Sequence, residues 1–553
     1  MIRNFIIYLE NKFSTKILWL ILALILVILF SIPIFSIFYL SLFPKENIWF
    51  HLISTVLPEY SKNTIILMLG NSIGVFLLGT STAWLVSTCN FFGRKYFQWA
   101  LLLPLAVPAY IIAFVYTDIL EFSGPIQSLL RYIFGWENLT EYWFPNIRSL
   151  PGAIFVMSFV LYPYVYIIAL ASFKDQSSTL IDVSRTLGQN PWRNFLSISL
   201  PLARPGIVVG VSLAMMETIA DFGTVDFFGV KTLTLAIFNV WLGMGNASGA
   251  AQISIALLII VCLLIYIEKK SRGEGVAYYI SPKKFSPIKP YKLKKFKAFL
   301  AIIVCSLPII IGFLIPFCFL LFYSIITFNE SWTNSFFKFS LNSLILSLSA
   351  ALITVIVAII ILYGRRLSGK VFGVISRLTL LGYAVPGAVI ALGVIIPLAR
   401  LDNAIDSFFM SFFGISTGLI FSGTIFAVIF AYIVRFLAVA FGSIDSSYSK
   451  LSNSLDMSSK TLGSSNFTTL FKIHIPLIRT GILAAIIIVF VDCMKELPAT
   501  LILRPFNFDT LATNVYQLAS DELLEQSSLS AITIVLVGIL PVIVLNKILN
   551  IKK

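Results

Sequence analysis

Four carboxylates lie in or beside long apolar segments, where they could contact a cation that crosses a membrane. Glu217 and Asp221 are four positions apart, and so are Asp492 and Glu496, so each pair shares one helix face. Ionisable side chains in such segments are costly and usually face a polar cavity or a partner. Two interpretations stay open. The four acids line a translocation path, with Glu217 and Asp492 deeper, or they hold helix ends together, with Lys495 as a partner.

The usual groups for catalysis or nucleotide binding are not found in the sequence. The string 364–370 has the glycine spacing of a phosphate loop, but Val371 stands where a Ser or Thr hydroxyl would hold Mg²⁺. It lies in a short loop between apolar runs, so we interpret it as cytoplasmic basic charge. The five cysteines show no CxxC spacing, and His51 and His474 are isolated. We predict no firm metal site, expect His474 to meet solvent or a partner, and disfavour an enzyme.

The composition requires a lipid environment. Of the 553 residues, 58% are hydrophobic and only 12% are charged, about half the charged fraction of a soluble protein. The formal net charge is +15, but the basic residues lie in short segments between apolar runs, as the positive-inside rule expects. This distribution excludes a nucleic-acid-binding role.

Twelve apolar stretches are long enough, or nearly so, to cross a bilayer as helices. They do not alternate between apolar and polar residues, which excludes a β-barrel and predicts an all-α integral membrane protein. With the basic segments inside, both termini are cytoplasmic, and the first stretch is a retained span rather than a signal peptide. We expect Pro108 and Pro386 to kink spans three and nine. The predicted spans are 17–43, 63–87, 98–120, 150–173, 203–221, 250–267, 298–326, 341–363, 378–398, 416–440, 479–498 and 529–546.

The chain repeats itself. A Thr-Leu-Gly string ends at Gly188 and again at Gly463, 275 positions later, and both pairs of acids follow at the same distance from that glycine. Because six spans separate the copies, the repeats enter the membrane in the same sense. The predicted organisation is an N-terminal segment with the first span (1–60), a first permease domain (61–267), a basic cytoplasmic linker (268–297), the seventh span with an outer loop (298–340) and a second permease domain (341–549).

The segments 182–201 and 457–476, here called the first and second elbows, carry the repeated pattern. In the first elbow Gly188 permits a sharp turn, Asn190 is a good N-cap and Pro191 suits the first helical position. The pattern predicts a short helix that ends as Pro201 approaches. Ser464, Ser465 or Asn466 caps the helix of the second elbow. Apolar side chains are expected to fill a pocket on a partner: Trp192, Phe195 and Leu196 in one elbow, and Phe467, Leu470 and Phe471 in the other.

Both elbows resemble the E-A-A-x3-G-x9-I-x-L-P pattern of permease subunits in binding-protein-dependent ABC importers of the type I fold. The G-x9-I-x-[LI]-P part is present twice, whereas the leading E-A-A is replaced in both copies. The resemblance implies an all-α type I permease fold with two parallel six-helix repeats, whose elbows dock on an ATPase. The implied coupling residues are Asp182, Gly188, Trp192, Phe195, Ile198, Leu200, Pro201, Gly463, Phe467, Phe471, Ile473, Ile475 and Pro476.

The strings A-D-F-G-T (220–224) and K-E-L-P-A-T (495–500) make the chain most similar to the ferric iron permeases. The resemblance implies two copies of an ATPase subunit, which bind ATP and Mg²⁺, and an extracytoplasmic binding protein. It also implies a place in a bacterial inner membrane and no cofactor bound by this chain. Alternatives are a permease for thiamine or another small solute, and an ion-driven secondary transporter that uses the acidic pairs for proton coupling.

Overall fold

The computed structural model describes residues 15–44, 47–176, 183–184, 186–272, 290–368, 372 and 382–551, and these are helical almost throughout. The described helices of the first half are α1 (Thr15–Leu42), α2 (Trp49–Thr55), α3 (Leu57–Thr88), α4 (Arg94–Ala100), α5 (Ala109–Leu120), α6 (Pro125–Phe134), α7 (Leu150–Lys174), α8 (Pro191–Asn194), α9 (Leu200–Ala220), α10 (Gly223–Phe227), α11 (Leu233–Phe238) and α12 (Ala247–Arg272). Two short strands, β1 (Cys89–Asn90) and β2 (Tyr291–Lys292), pair in parallel.

The described helices of the second half are α13 (Phe296–Ile309), α14 (Ile315–Ile326), α15 (Phe328–Ser331), α16 (Asn334–Ser368), α17 (Gly387–Phe413), α18 (Ile425–Tyr448), α19 (Asn453–Thr461), α20 (Asn466–Thr469), α21 (Ile475–Met494), α22 (Pro498–Leu503), α23 (Leu511–Ser520) and α24 (Leu524–Ile551). Short 3₁₀ segments lie at Leu103–Ala106 and Leu139–Glu141, and π-helical turns lie at Phe195–Ser199, Asn239–Gly243, Ile310–Leu314 and Leu470–His474.

Twelve helical segments within the described residues are long and apolar enough to cross a membrane, which confirms the all-α membrane fold. Their bounds correct the prediction for the two prolines. Pro108 and Pro386 do not kink spans three and nine, because each is the residue directly before a helix begins, at Ala109 and at Gly387. A proline disfavours the helical conformation of the residue before it, and Val107 is accordingly extended.

The chain forms two compact units, each with segments from both halves of the sequence. Unit A comprises described residues of Met1–Asn47, Val240–Ile255 and Phe337–Thr513. Within it α1 packs along α17, where a Cβ at Gly393 would lie 2.9 Å from the carbonyl carbon of Pro33. Phe30 stacks on Phe430 with ring centroids 5.4 Å apart. The first span is therefore part of the same unit as the second elbow.

Unit B comprises described residues of Ile48–Asn239, Ala256–Phe336 and Asn514–Lys553. Its core is the contact between α3 and α7, which a G-x-x-x-G string at Gly70 and Gly74 makes close. A Cβ at Gly74 would lie 2.6 Å from Cβ of Ser158. In lipid there is no hydrophobic driving force between helices, so their association depends on close van der Waals packing. Small residues permit this packing because they let the two backbones approach. Asn71 adds polar bonds, as its amide donates to Thr218 Oγ1 (2.5 Å) and accepts from Ser158 Oγ (3.1 Å).

Candidate functional site

The first elbow is a tight turn followed by a capped helix, as its sequence predicts. Gly188 has φ +75°, a left-handed conformation that other residues adopt only at a cost. The side chain of Asn190 then accepts a hydrogen bond from the backbone N–H of Arg193 (2.7 Å) and begins α8. Pro191 is the first residue of that helix. Cap and turn together satisfy backbone groups that a helix end would otherwise leave without a partner.

The second elbow has the same construction from different residues. Gly463 has φ +73°, and Ser465 is the cap, with its hydroxyl accepting from the backbone N–H of Thr468 (3.2 Å). Of the three residues that the sequence offered as the cap, the structure selects Ser465. It occupies the position of Asn190, because 190 plus 275 is 465. Serine and asparagine are both favoured N-caps, so the geometry is kept while the residue changes.

A polar bond between the two arms of each elbow is also repeated. In the first elbow the amide of Asn194 donates to Ser184 Oγ (2.6 Å), and in the second Ser459 Oγ and Thr469 Oγ1 lie 2.7 Å apart. Ser459 is 275 positions after Ser184, and Thr469 is 275 after Asn194. All four side chains are buried. The two elbows therefore share the same turn, helix cap and internal polar bond.

The elbow helices do not end at Pro201 and Pro476, contrary to the prediction. Each continues through a π-helical turn into the next span, α9 or α21. A proline within a helix lacks the N–H for the usual bond, and the wider turn before it absorbs this defect. The N–H of Leu200 bonds to the carbonyl of Phe195, and that of Ile475 to Leu470, each five residues back. An elbow and its span are consequently one continuous helical lever.

The structure separates the predicted apolar anchors into exposed and buried side chains. Trp192 is 60% exposed, and Leu196 and Phe471 are each 49% exposed. Phe195 and Leu470 are buried in this chain, so the expectation that they fill a partner's pocket is corrected. Phe195 packs on Trp84 of α3, with ring centroids 4.8 Å apart, and so attaches the first elbow to its own unit.

The remaining predicted coupling residues are placed as follows. The backbone turns at Gly188 and Gly463 present both loops to solvent, and Asp182 lies outside the described residues. Half-buried side chains are Ile198, Leu200, Phe467, Ile473 and Ile475, and the rings of Pro201 and Pro476 are exposed.

The sequence predicted that His474 meets solvent or a partner. The structure corrects this prediction, because His474 is fully buried within this chain. Its Nδ1 lies 2.7 Å from the hydroxyl of Tyr448, and its Nε2 lies 2.8 Å from a carboxylate oxygen of Asp456. Nε of Arg366 donates to the other oxygen of Asp456 (2.7 Å). The guanidinium also reaches the backbone carbonyl of Ser452 (3.1 Å). Here called the Asp456 cluster, these groups fasten the second elbow to α16 and α18.

Two of the four carboxylates cap helices. Asp221 accepts from the backbone N–H of Thr224 (2.9 Å) at the start of α10. Glu496 accepts from the backbone N–H groups of Ala499 and Thr500 (3.1 Å each) at the start of α22. These are the stabilising bonds of an acid at a helix N-terminus, where the backbone dipole favours negative charge. Both acids lie at the same distance from their elbow glycine, and each accepts backbone hydrogen bonds from the short helix that follows its span.

The other two carboxylates, Glu217 and Asp492, are half-buried on α9 and α21. Asp492 forms an ion pair with Lys495 (2.9 Å), the partner that the sequence had offered. Sequence reasoning missed Arg435, whose Nη1 donates to Glu496 (2.8 Å) from within the tenth span. The signal was available, because a lone arginine in an apolar span is costly unless it is paired.

The twelve apolar helices among the described residues and the two matching elbows define a multi-pass membrane transport permease. The family described as "Binding-protein-dependent transport system inner membrane component" matches residues 76–268 and 355–552, more than half of the chain. The chain belongs to this family, and the resemblance read from the two elbows is confirmed.

Some relatives are similar over most of the chain and others over only a part of it. The Fe(3+)-transport system permease protein FbpB 2 of Haemophilus influenzae is 28% identical over 498 residues, which cover 89% of this chain and 90% of that protein. The ferric transport system permease protein FbpB of Actinobacillus pleuropneumoniae is 22% identical over 432 residues, or 73% and 58%. The molybdenum transport system permease protein ModB of Escherichia coli is 28% identical over 218 residues, 37% of this chain and 92% of that relative.

Proposed function

We propose that this chain is the membrane-spanning subunit of an ATP-driven importer. Two copies of one ATPase subunit dock on the two elbows and supply the energy. An extracytoplasmic binding protein delivers the cargo to the loops on the opposite side. The observation that carries this proposal is the repeated elbow, with its left-handed glycine, cap and buried polar bond recurring 275 positions apart.

The duplicated geometry supports two identical motors rather than one. Each elbow presents an exposed aromatic side chain, Trp192 or Phe471, beside a rigid turn. Such side chains are frequent anchors at protein interfaces. An ion-driven carrier would have no use for two equivalent docking surfaces. The sequence also has no complete phosphate loop, so hydrolysis falls to a separate subunit that holds ATP and Mg²⁺.

We propose ferric iron as the cargo. The permeases named for ferric transport are similar over most of this chain. Glu217 and Asp492 are the acids of the predicted path that do not cap a helix, and hard cations prefer oxygen ligands of this kind. We expect that Glu217→Ala combined with Asp492→Ala abolishes iron uptake in a complex that still assembles. Uptake at the unsubstituted rate would remove these carboxylates from the path.

A second candidate cargo is an oxyanion, supported by the match to ModB over 218 residues. Uptake of radioactive iron in the presence of excess molybdate separates the two. Iron uptake that persists under this competition supports the first cargo. Molybdate uptake without iron uptake supports the second, and neither result alters the assignment of the elbows.

The motor proposal is tested by Gly188→Val and Gly463→Val in proteoliposomes that contain the ATPase subunit and the binding protein. Both glycines have open space around them, so the damage comes from the backbone. A side chain in this conformation costs about 1–2 kcal/mol. We expect each substitution to abolish ATP-dependent uptake and to lower ATPase affinity. The control is Gly442→Val on α18, which also has open space but an ordinary helical backbone. Uptake that continues without any ATPase subunit contradicts the proposal.

A further inference from the structure

An apolar groove of about 720 Å³ lies beside the first elbow, wholly within unit B. Its walls come from α3, from the elbow itself and from the start of α13. The elbow contributes Trp192 and Leu196, two of the side chains that remain exposed. The side chains that line it further along are Phe76, Leu77, Trp84, Leu85, Leu300 and Val304.

The groove extends from the elbow far into the spans. Along α3 its lining runs from Leu85 back to Phe76, which is about 14 Å of helix at 1.5 Å per residue. This approaches the hydrocarbon depth of one leaflet, about 15 Å. An occupant must therefore be apolar and enter from the membrane, as an acyl chain does. A soluble protein surface could cover only the end at the elbow.

The end of the groove at the elbow is strongly basic. Lys292, Lys294, Lys295 and Lys297 are exposed and line this end or the cavity that adjoins it. Among the described residues that line the two cavities, none is acidic. The backbone holds these lysines in place, because β2 pairs with β1 and the N–H of Leu293 donates to the carbonyl of Asn90 (3.1 Å).

We propose that this groove binds an anionic phospholipid. The acyl chains lie along α3 and α13, and the phosphate is held by the four lysines, here called the lysine rim. A basic cluster at the end of an apolar groove is the arrangement that distinguishes an anionic from a zwitterionic lipid. The lipid contacts Trp192 and Leu196 and so supports the first elbow from the membrane side. Its assignment to the cytoplasmic leaflet rests on the proposed function, whereas the binding itself does not.

The test is native mass spectrometry of the full-length chain, delipidated in detergent and titrated with phosphatidylglycerol or phosphatidylcholine of the same acyl length. The rim variant is Lys294→Gln with Lys295→Gln. The matched control is Lys269→Gln with Lys270→Gln, a pair on α12 that is also exposed but lines neither the groove nor the adjoining cavity. We expect wild type to prefer phosphatidylglycerol by on the order of tenfold, and this preference to be lost in the rim variant but kept in the control.

A photoactivatable phosphatidylglycerol locates the site. Crosslinks to peptides that contain residues 76–85 and 296–304, reduced by Leu77→Trp, support the groove; Leu77 is 58% exposed and tolerates bulk. Equal binding of both lipids, equal loss in the control pair, or crosslinks confined to other spans would each overturn the proposal. A rim variant that keeps its lipid preference but no longer binds the ATPase subunit would overturn it in favour of a protein surface. None of these readouts depends on ATP hydrolysis or on the cargo.

Discussion

The absence of a side chain at Gly387 leaves the space that the ion pair between Glu496 and Arg435 occupies. Gly387 is the first residue of α17, and a Cβ there would lie 2.6 Å from a carboxylate oxygen of Glu496. It would also strike the guanidinium of Arg435, the partner of that carboxylate. The side chain of Glu496 is 1% exposed and that of Arg435 is 12% exposed. Any added volume at residue 387 must therefore separate two largely buried charges, which is costly.

We predict that Gly387→Ala destabilises the protein by about 1–3 kcal/mol, the usual range for an overpacked site. The measurement is the unfolding midpoint of the purified chain in detergent. Gly442→Ala is the matched control, because nothing lies within 4 Å of a Cβ there and the backbone is helical. A stability loss in Gly442→Ala as large as that in Gly387→Ala would contradict this account of the ion pair.

Residues whose role is local were predictable from the sequence, and those whose role depends on distant partners were not. Asn190 is a cap because of its own backbone, so the sequence was sufficient. The burial of His474 depends on Tyr448 and Asp456, which lie 26 and 18 positions away (474 minus 448 and 474 minus 456). No pattern within the second elbow indicated that these side chains would surround it.

At the scale of elements, the two elbows differ in how they are fastened. The second is held by the Asp456 cluster, with an arginine and a histidine on one carboxylate. Among the described residues of the first elbow, Ser199 stands at the position of His474, and its backbone carbonyl accepts a neutral hydrogen bond from the amide of Gln176 (2.7 Å). Charge-assisted bonds are stronger than neutral ones. The attachment of the second elbow therefore depends on the charge of Asp456.

We predict that Asp456→Asn loosens the second elbow and leaves the first unchanged. The substitution removes the charge that pairs with Arg366, and the loss of such a bond costs about 1–3 kcal/mol. Hydrogen exchange of the intact complex should become on the order of tenfold faster or more in 453–461, while 186–199 keeps its rate as the internal control. Equal acceleration in both elbows would indicate global unfolding and contradict a local role for Asp456.

The prolines mark where local rules stop predicting an element. Every proline lacks a backbone N–H and disfavours a helical conformation of the residue before it. These two effects alone do not tell whether Pro108 or Pro201 precedes a helix or lies inside one. The structure places Pro108 before α5, whereas Pro201 is carried inside a continuous lever by the π-helical turn. Which outcome occurs depends on whether the flanking segments can pack in line.

For the whole molecule, the apolar faces of the spans could not be assigned from sequence. On α1, Val27 and Ala23 are buried while Ile25 and Ile28 are more than half exposed, and all four are apolar. In a soluble protein, the apolar face of a surface helix shows which side packs on the core. In lipid both faces are apolar, so the sequence of α1 does not show which face packs on the protein. The number of spans was therefore predictable, whereas the packing of α1 on α17 in unit A was not.

The number of spans between the two elbows predicts that both elbows lie on the same side of the membrane. The first elbow leads into span five and the second leads into span eleven, so six spans separate the starts of the two elbows. An even number returns the chain to the same side, and the positive-inside rule predicts that this side is the cytoplasm. Thr186→Cys and Thr461→Cys, at equivalent exposed positions, are introduced singly with the five native cysteines replaced by Ala.

We expect an impermeant maleimide to label both cysteines only after the cells are permeabilised. Glu137→Cys in the loop after α6 is the control and should be labelled in intact cells, because one span lies between it and the first elbow. Labelling of one elbow but not the other in intact cells would require an odd number of spans between them. That result would contradict the prediction that the two repeats are parallel. Labelling of both from outside would invert the orientation and remove the ATPase from its proposed site.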